Sequence, residues 1–276
     1  MENITNNAET ILKAGAALAG PVAGHGGIPY VALPKSYEVH DLEKLLPTPT
    51  RKRAGVTTTD TESFVFYTKK HGSLDNCTIY ADIDSEESKF GMVAVINDHG
   101  ADKDDSQWRD HTCLFKPALA VEWKRWVAKN KQKFNQIEFA AWLEENLSDV
   151  ASVDGMPTGA DILKMALGFE ANSDKRLRSK VNLQDGGVRF EFVDESDVET
   201  RTTMQAYERF TLGLPVFDGS SSAYPVEARL KYRESDGKLT FWYELIREDR
   251  VFKSAVTDEL SQIKSETGFP VIHGKP

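Results

Sequence analysis

Hydrophobic positions along this chain switch between a period of about 3.6 and a period of two, and each switch predicts an element boundary. Residues 8–19, rich in alanine, predict a short helix that stops at Gly20-Pro21. Gly24-His25-Gly26-Gly27-Ile28-Pro29 then excludes regular structure, and Tyr30 to Leu33 predicts a short extended segment. A phosphate-cradling loop needs a strand before it and a helix directly after it; here the order is reversed, so the stretch predicts a flexible connector. Asp41 to Leu46 predicts a helical turn stopped by Pro47, and Pro49 to Gly55 a basic loop. From Asp60 the period is helical, with Phe64, Tyr67 and His71 on one face. Ser63 to Thr68 also fits a strand, but the ends decide for a helix: Asp60 is placed to cap it, Lys69, Lys70 and His71 suit its last turn, and Gly72 stops it.

Three alternating runs follow, Cys77 to Ile83, Phe90 to Ile96 and Trp108 to Phe115, and the polar loops between them predict an antiparallel meander. Trp123, Trp126, Val127 and Asn130 mark one helix, and Phe139, Trp142, Leu143, Leu147 and Val150 a second. A third starts after Pro157 with Thr158 and Asp161 as a capping box, and it should bury Ile162, Leu163, Ala166 and Leu167. A second meander begins with Leu177 to Leu183 and Val188 to Val193 around Asp185-Gly186-Gly187. Phe210 to Phe217 continues it, with Pro215 best placed near an edge, and Val226 to Tyr232 and Leu239 to Leu245 flank Ser235-Asp236-Gly237. The last helix carries Phe252, Val256, Leu260 and Ile263 on one face and ends at Gly268 and Pro270. That face is expected to lie on the second sheet, where Leu260→Ala would cost about 2–5 kcal/mol.

Helices and antiparallel strands in separate blocks predict an α+β fold: antiparallel meanders with packed helices, in two closely associated lobes. The expected organisation is a helix and Gly-rich connector over 1–35, a first α+β lobe over 36–172, and a second antiparallel sheet with the C-terminal helix over 173–276. No repeat of fixed period is present.

Composition changes this picture little. With 276 residues and 40% apolar content the chain can bury a core without disulfides or structural metal. Cys77 and Cys113, the two cysteines, lie in strand-like runs and read as buried free thiols. A net charge of −9 argues against broad adhesion to polyanions, although a local basic face could still bind one. No apolar run approaches the roughly 20 residues of a membrane span, and the start lacks the basic residues of a secretory signal, so a cytoplasmic location is expected and no membrane partner.

The stretch from Asn97 to Asp105, with Asp110 and His111, is the best candidate for chemistry. Asp98, His99, Asp110 and His111 on one hairpin could hold a divalent ion and activate water. Their spacing matches neither a calcium loop nor a zinc knuckle, and a solvated acidic loop explains the same residues. Glu122-Trp123-Lys124 imitates half of a nuclease signature, but its periodicity places it on a helix. No Walker loop, nucleophile elbow or zinc-protease helix is present, so no cofactor is expected.

Two groups of residues are candidates for nucleic acid. Arg51, Lys52 and Arg53, with Lys69 and Lys70 at the end of the next helix, form the densest basic clusters. In the strand from Val226 to Arg233, Val226, Ala228, Leu230 and Tyr232 face one side while Glu227, Arg229, Lys231 and Arg233 face the other. With Trp242 on the partner strand, these cations could form a stacking platform for single strands. The alternative is a charged solvent face with cross-strand Arg–Glu pairs and Trp242 covered by a helix.

Pro49 to Gly55 with the helix Asp60 to His71, Trp108-Arg109-Asp110-His111, Gln136 to Glu145, Phe210 to Phe217, Ala228 to Arg233 and Thr267 to Val271 together resemble, in order and spacing, the YfdQ-like family of phage and prophage proteins. The resemblance covers most of the chain after about residue 30. It implies a phage-derived protein made in a bacterial cell from an early or accessory gene block, and it brings no catalytic residues. Two expectations follow. One is a non-enzymatic, self-assembling binding protein, a homo-oligomer with phage or host protein partners, connected with phage DNA metabolism or host defence. The other is a metal-dependent enzyme acting on nucleotides or nucleic acid through the segment from Asp98 to His111.

Overall fold

The computed structural model describes residues 7, 9–15, 22–23, 29–30, 43–84, 87–102, 104–171, 176–182, 187–193, 201–235 and 238–276. Its internal contacts divide the chain into two units, Met1–Lys52 and Arg53–Pro276. In the first, helix α1 covers residues 9–15, and β1 (Val22–Ala23) pairs antiparallel with β2 (Pro29–Tyr30). A 3-10 turn occupies Glu43–Leu45, just before Pro47 as expected. The predicted stop at Gly20-Pro21, the glycine stretch 24–28, residues 31–33 and the hairpin tips Asp185-Gly186 and Asp236-Gly237 lie outside the described residues.

The second unit runs β3 (Ala54–Thr58), α2 (Thr61–His71), β4 (Thr78–Asp84), β5 (Lys89–Val95), β6 (His111–Phe115), α3 (Val121–Ala128), β7 (Phe134–Asn135), α4 (Gln136–Glu145) and α5 (Gly159–Ala171). It continues with β8 (Arg176–Asn182), β9 (Gly187–Val193), β10 (Arg201–Tyr207), β11 (Arg209–Leu214), β12 (Tyr224–Ser235), β13 (Lys238–Leu245), α6 (Glu248–Thr267) and β14 (Val271–His273). The fold is α+β.

The helix signals act as read. The Asp60 carboxylate accepts the Ser63 N–H at 2.7 Å, and the carboxylate–hydroxyl box of Asp161 and Thr158 starts α5. Gly72 stops α2 for a steric reason: its φ is −84°, an ordinary value, but a Cβ there would lie 2.8 Å from the Thr68 carbonyl and 3.0 Å from Cys77. Gly268, by contrast, ends α6 in the left-handed conformation at φ 71°, which glycine adopts without strain. Within α5, Leu167 is exposed and Met165 takes the buried position, because the helix turns its Ile162–Met165–Ala166 stripe inward.

The first meander, β4–β5–β6, is the centre of a five-stranded sheet in the order β14–β4–β5–β6–β3. Both outer strands are parallel to their neighbours, β3 to β6 and β14 to β4. Gly55, read as part of a basic loop, therefore lies in a strand, and that loop ends at Arg53. One face of this sheet, with Ile79, Ala81, Met92, Ala94, Cys113 and Phe115, packs on Phe64 and Val65 of α2 and Ile263 of α6. Of the strands after residue 173, β14 joins the five-stranded sheet, and the others form two sheets: β10–β9–β8, and β11–β12–β13 joined by the short β7. The inner face of the latter, from Phe210, Val226 and Phe241 to Tyr243, builds a larger core with Trp123, Trp126, Phe139 and Leu143. The loop after α3 covers the rest of the β13 edge, where the Lys131 N–H donates to the Tyr243 carbonyl and Asn130 Oδ1 accepts the Leu245 N–H.

Helix α6 joins both cores. Phe252, Ala255 and Val256 belong to the larger, Ile263 to the smaller, and the half-buried Leu260 packs against each. Because Leu260 keeps some solvent contact, Leu260→Ala is expected at the lower end of the large-to-small range, about 2 kcal/mol. Urea denaturation measures it, and a loss below about 0.5 kcal/mol would show that this side chain binds neither core.

Candidate functional site

The loop from Ile96 to Asp110 connects β5 to β6 and carries most of the residues singled out for chemistry. Asp98 is buried at 6% exposure. Its carboxylate accepts the Tyr80 hydroxyl at 2.9 Å and the His99 N–H at 2.9 Å. Arg109 Nε lies 2.9 Å from Asp98 Oδ1, off the line of its N–H, so this contact is an ion pair; another guanidinium N–H donates to the Tyr80 hydroxyl at 3.2 Å. Burial alone would raise the Asp98 pKa, but Tyr80, the His99 N–H, Thr78 and Arg109 outweigh it and hold the carboxyl below its ordinary value.

His111 is buried as well, and its Nε2 shares a 3.0 Å hydrogen bond with the Tyr67 hydroxyl. The His71 ring packs 5.3 Å from it, centroid to centroid, so the Tyr67–His71 end of α2 is keyed to the start of β6. Asn97 closes the other side: its Oδ1 accepts the His111 N–H at 2.9 Å and its amide donates to Asp110 at 3.0 Å. His99 is exposed and uses Nδ1 to accept the Gln107 N–H at 3.1 Å. Asp98, His99 and Asp110 thus lie on this loop and His111 starts β6, but Asp98 turns to Tyr80 and Arg109, His99 to Gln107, and Asp110 and the His111 backbone to Asn97. Among the described residues no three His, Cys, Asp or Glu side chains are placed to hold a metal ion. The arrangement is a brace across the mouth of a hairpin. Glu122-Trp123-Lys124 lies on α3, and Trp123 is buried in the core.

The brace has one outward consequence. Arg109 takes φ 56°, a left-handed conformation that costs a non-glycine residue about 1 kcal/mol or more. Its side chain reaches inward to Asp98, while the adjacent Trp108 is 77% exposed. Sequence pattern had placed Trp108 as the first residue of a strand, which the structure starts at His111. The signal available was the polar Arg109-Asp110 pair directly after it, which breaks the alternation.

The cysteines are free and buried. Burial pushes the Cys77 thiol up to about 12 and raises that of Cys113, so neither is a ready nucleophile.

The basic candidates separate. Arg51 and Lys52 close the first unit and Arg53 opens the second; Arg51 and Arg53 are engaged with neighbouring groups. Lys69 and Lys70 are exposed, with the Lys70 ammonium 5.8 Å from the Phe66 ring centroid. On β12 the faces divide as expected: Val226, Ala228 and Leu230 are buried and Arg229, Lys231 and Arg233 exposed. Among the described residues one Arg–Glu pair forms on this face, Arg209 to Glu227 at 2.8 Å. Trp242, half-buried, stands directly across from Lys231 and donates its indole N–H to Glu244 at 3.3 Å.

A family model for uncharacterized conserved proteins matches residues 2–276. The chain belongs to the DUF2303 family. No curated protein matches this DUF2303 chain. Among its described residues no helix is long and apolar enough to cross a membrane.

Proposed function

We propose that this DUF2303 protein is a phage- or prophage-encoded accessory protein of the bacterial cytoplasm that acts by binding, has no catalysis of its own, and assembles with itself. The observation that carries this reading is Trp108, 77% exposed beside residues whose side chains are tied down, Arg109 to Asp98 and Tyr80 and Asp110 to Asn97. A tryptophan side chain has roughly 150–250 Å² to bury, and leaving it in water forfeits that gain unless a partner covers it. Tryptophans of this kind, fixed before the partner arrives, are typical anchors of protein interfaces because little entropy is lost on binding. Asp98, Arg109, Asn97 and His111 supply that fixing, which gives the polar residues of the loop a role without chemistry. The phage setting, and with it a connection to phage DNA metabolism or host defence, rests on the sequence resemblance, whose segments include Trp108-Arg109-Asp110-His111.

Light scattering at micromolar concentration tests the reading. Wild type is expected well above the 30.8 kDa of one chain, and Trp108→Ala should move the mass toward that value with an unchanged circular dichroism spectrum. A wild-type particle of 30.8 kDa removes self-assembly, and an assembly indifferent to Trp108→Ala removes the loop as its anchor.

A further inference from the structure

We propose that the outer face of the four-stranded sheet β11–β12–β13–β7 is a binding site for a single-stranded polynucleotide. The argument starts from three cations. Arg229, Lys231 and Arg233 project from alternate positions of β12, about 6.8 Å apart by strand geometry. All three are exposed, and none makes an ion pair or hydrogen bond with any described residue. In a chain with 43 acidic and 34 basic side chains, a row of three cations without acidic partners is a local departure from the overall balance. The row repels itself and contributes nothing to the inner core, so the fold gains nothing from it.

The acids that share the face are already used. Glu227 is held by Arg209 at 2.8 Å, and Glu244 accepts the Trp242 indole N–H at 3.3 Å. Glu244 stands opposite Arg229 and keeps its charge, but the face sets four exposed cations, Arg209, Arg229, Lys231 and Arg233, against these two acids, which leaves a local positive stripe on a protein of net charge −9. This is the local exception that overall charge cannot rule out, because screening confines each charge's influence to about 8–10 Å.

Trp242 adds the second half of the ligand's chemistry. It lies opposite Lys231 in the ladder, and its bond to Glu244 fixes the indole beside the stripe. A row of cations beside an aromatic ring matches alternating phosphates and bases, with stacking that tolerates any base. The shape selects the strand state. Duplex grooves admit a helix or a two-stranded ribbon, whereas a broad sheet face suits unstacked bases laid across it. DNA and RNA share the chemistry invoked here. The site involves neither Trp108 nor its loop, so it and the self-assembly reading stand or fall separately.

Fluorescence anisotropy with labelled dT20, rU20 and a 20-base-pair duplex tests the site, using the full chain and light scattering in parallel. Wild type is expected to bind a single strand at 50 mM salt more tightly than the duplex, and three phosphate contacts would weaken binding about 20-fold by 200 mM. The triple variant Arg229→Ala, Lys231→Ala, Arg233→Ala should lose binding and most of the salt dependence. Trp242→Ala should weaken it about tenfold, while Trp242→Phe, which keeps a stacking surface, should stay within about threefold of wild type. Preference for dT20 or rU20 would identify the natural strand. No binding at 50 mM salt, equal affinity for duplex and single strand, or affinity unchanged in the triple variant with its melting temperature intact would each overturn the proposal. Failure on those grounds with wild-type assembly intact leaves the Trp108 reading standing.

Discussion

Replacing Trp126 with alanine should destabilise the protein by about 3–5 kcal/mol, the range for emptying a fully buried aromatic site. Trp126 has no solvent exposure and meets Trp142, Phe210 and Tyr243 with ring centroids 5.6, 6.1 and 5.0 Å away. It is a core residue with a polar duty as well, donating its indole N–H to the buried Asp149 carboxylate at 2.8 Å. The alanine variant loses both. Trp126→Phe separates them: it refills most of the volume and removes the indole donor from Asp149 Oδ2, leaving the Ser148 hydroxyl on Oδ1 at 3.3 Å, for a smaller cost of about 1–3 kcal/mol. Urea denaturation of the two variants measures the split, and an alanine loss below about 1 kcal/mol would mean the core closes over the gap.

Arg109→Ala should cost about 2–3 kcal/mol at neutral pH, less than for a fully buried pair because the guanidinium is partly solvated. What remains is the buried Asp98 carboxylate with hydrogen bonds but no counter-charge. Arg109→Gly should be milder by roughly 1 kcal/mol, since glycine accepts the positive φ that alanine resists. The pH dependence has a definite sign. Because the folded state holds the Asp98 pKa below its ordinary value, its contribution is complete above the unfolded pKa of about 3.9 and fades as pH falls through the lower folded value. Denaturation curves from pH 6 to pH 2 should therefore show a shallower acid loss for Asp98→Asn than for wild type. An identical slope would mean that Asp98 carries no linked proton.

The helices and the antiparallel ladders were legible because their signals are local. Asp60 with Ser63, Thr158 with Asp161, and the alternation Val226-Glu227-Ala228-Arg229 each act within a few residues, so spacing alone reports them. Strand β3 was not legible: Ala54-Gly55-Val56-Thr57-Thr58 offers one large apolar side chain, and its partner is fixed by β6, far along the chain. The short β14 is hidden for the same reason, three residues after a proline that owe their conformation to β4. At the candidate site, sequence showed that acids and imidazoles crowd the loop after β5 but not which acid is buried. That choice falls to Asp98 because Tyr80 of β4 and Arg109 meet there, a juxtaposition set by sheet register. On β12 the cation row followed from period two. Its lack of partners did not, since Glu227 pairs with Arg209 of β11 rather than with Arg229 on its own strand.

The parallel outer strands of the five-stranded sheet bear on how quickly the molecule can form. The meander β4–β5–β6 needs only short loop closures, whereas Val271 must find Ile79 and Ala54 must find His111. Entropy opposes such distant encounters until helix α6 is already in place, so topology predicts a slow final phase in which the meander waits with both flanks unpaired. During that interval the β4 and β6 backbones can recruit any extended segment nearby, which makes refolding yield, more than equilibrium stability, the property most sensitive to protein concentration and to chaperones.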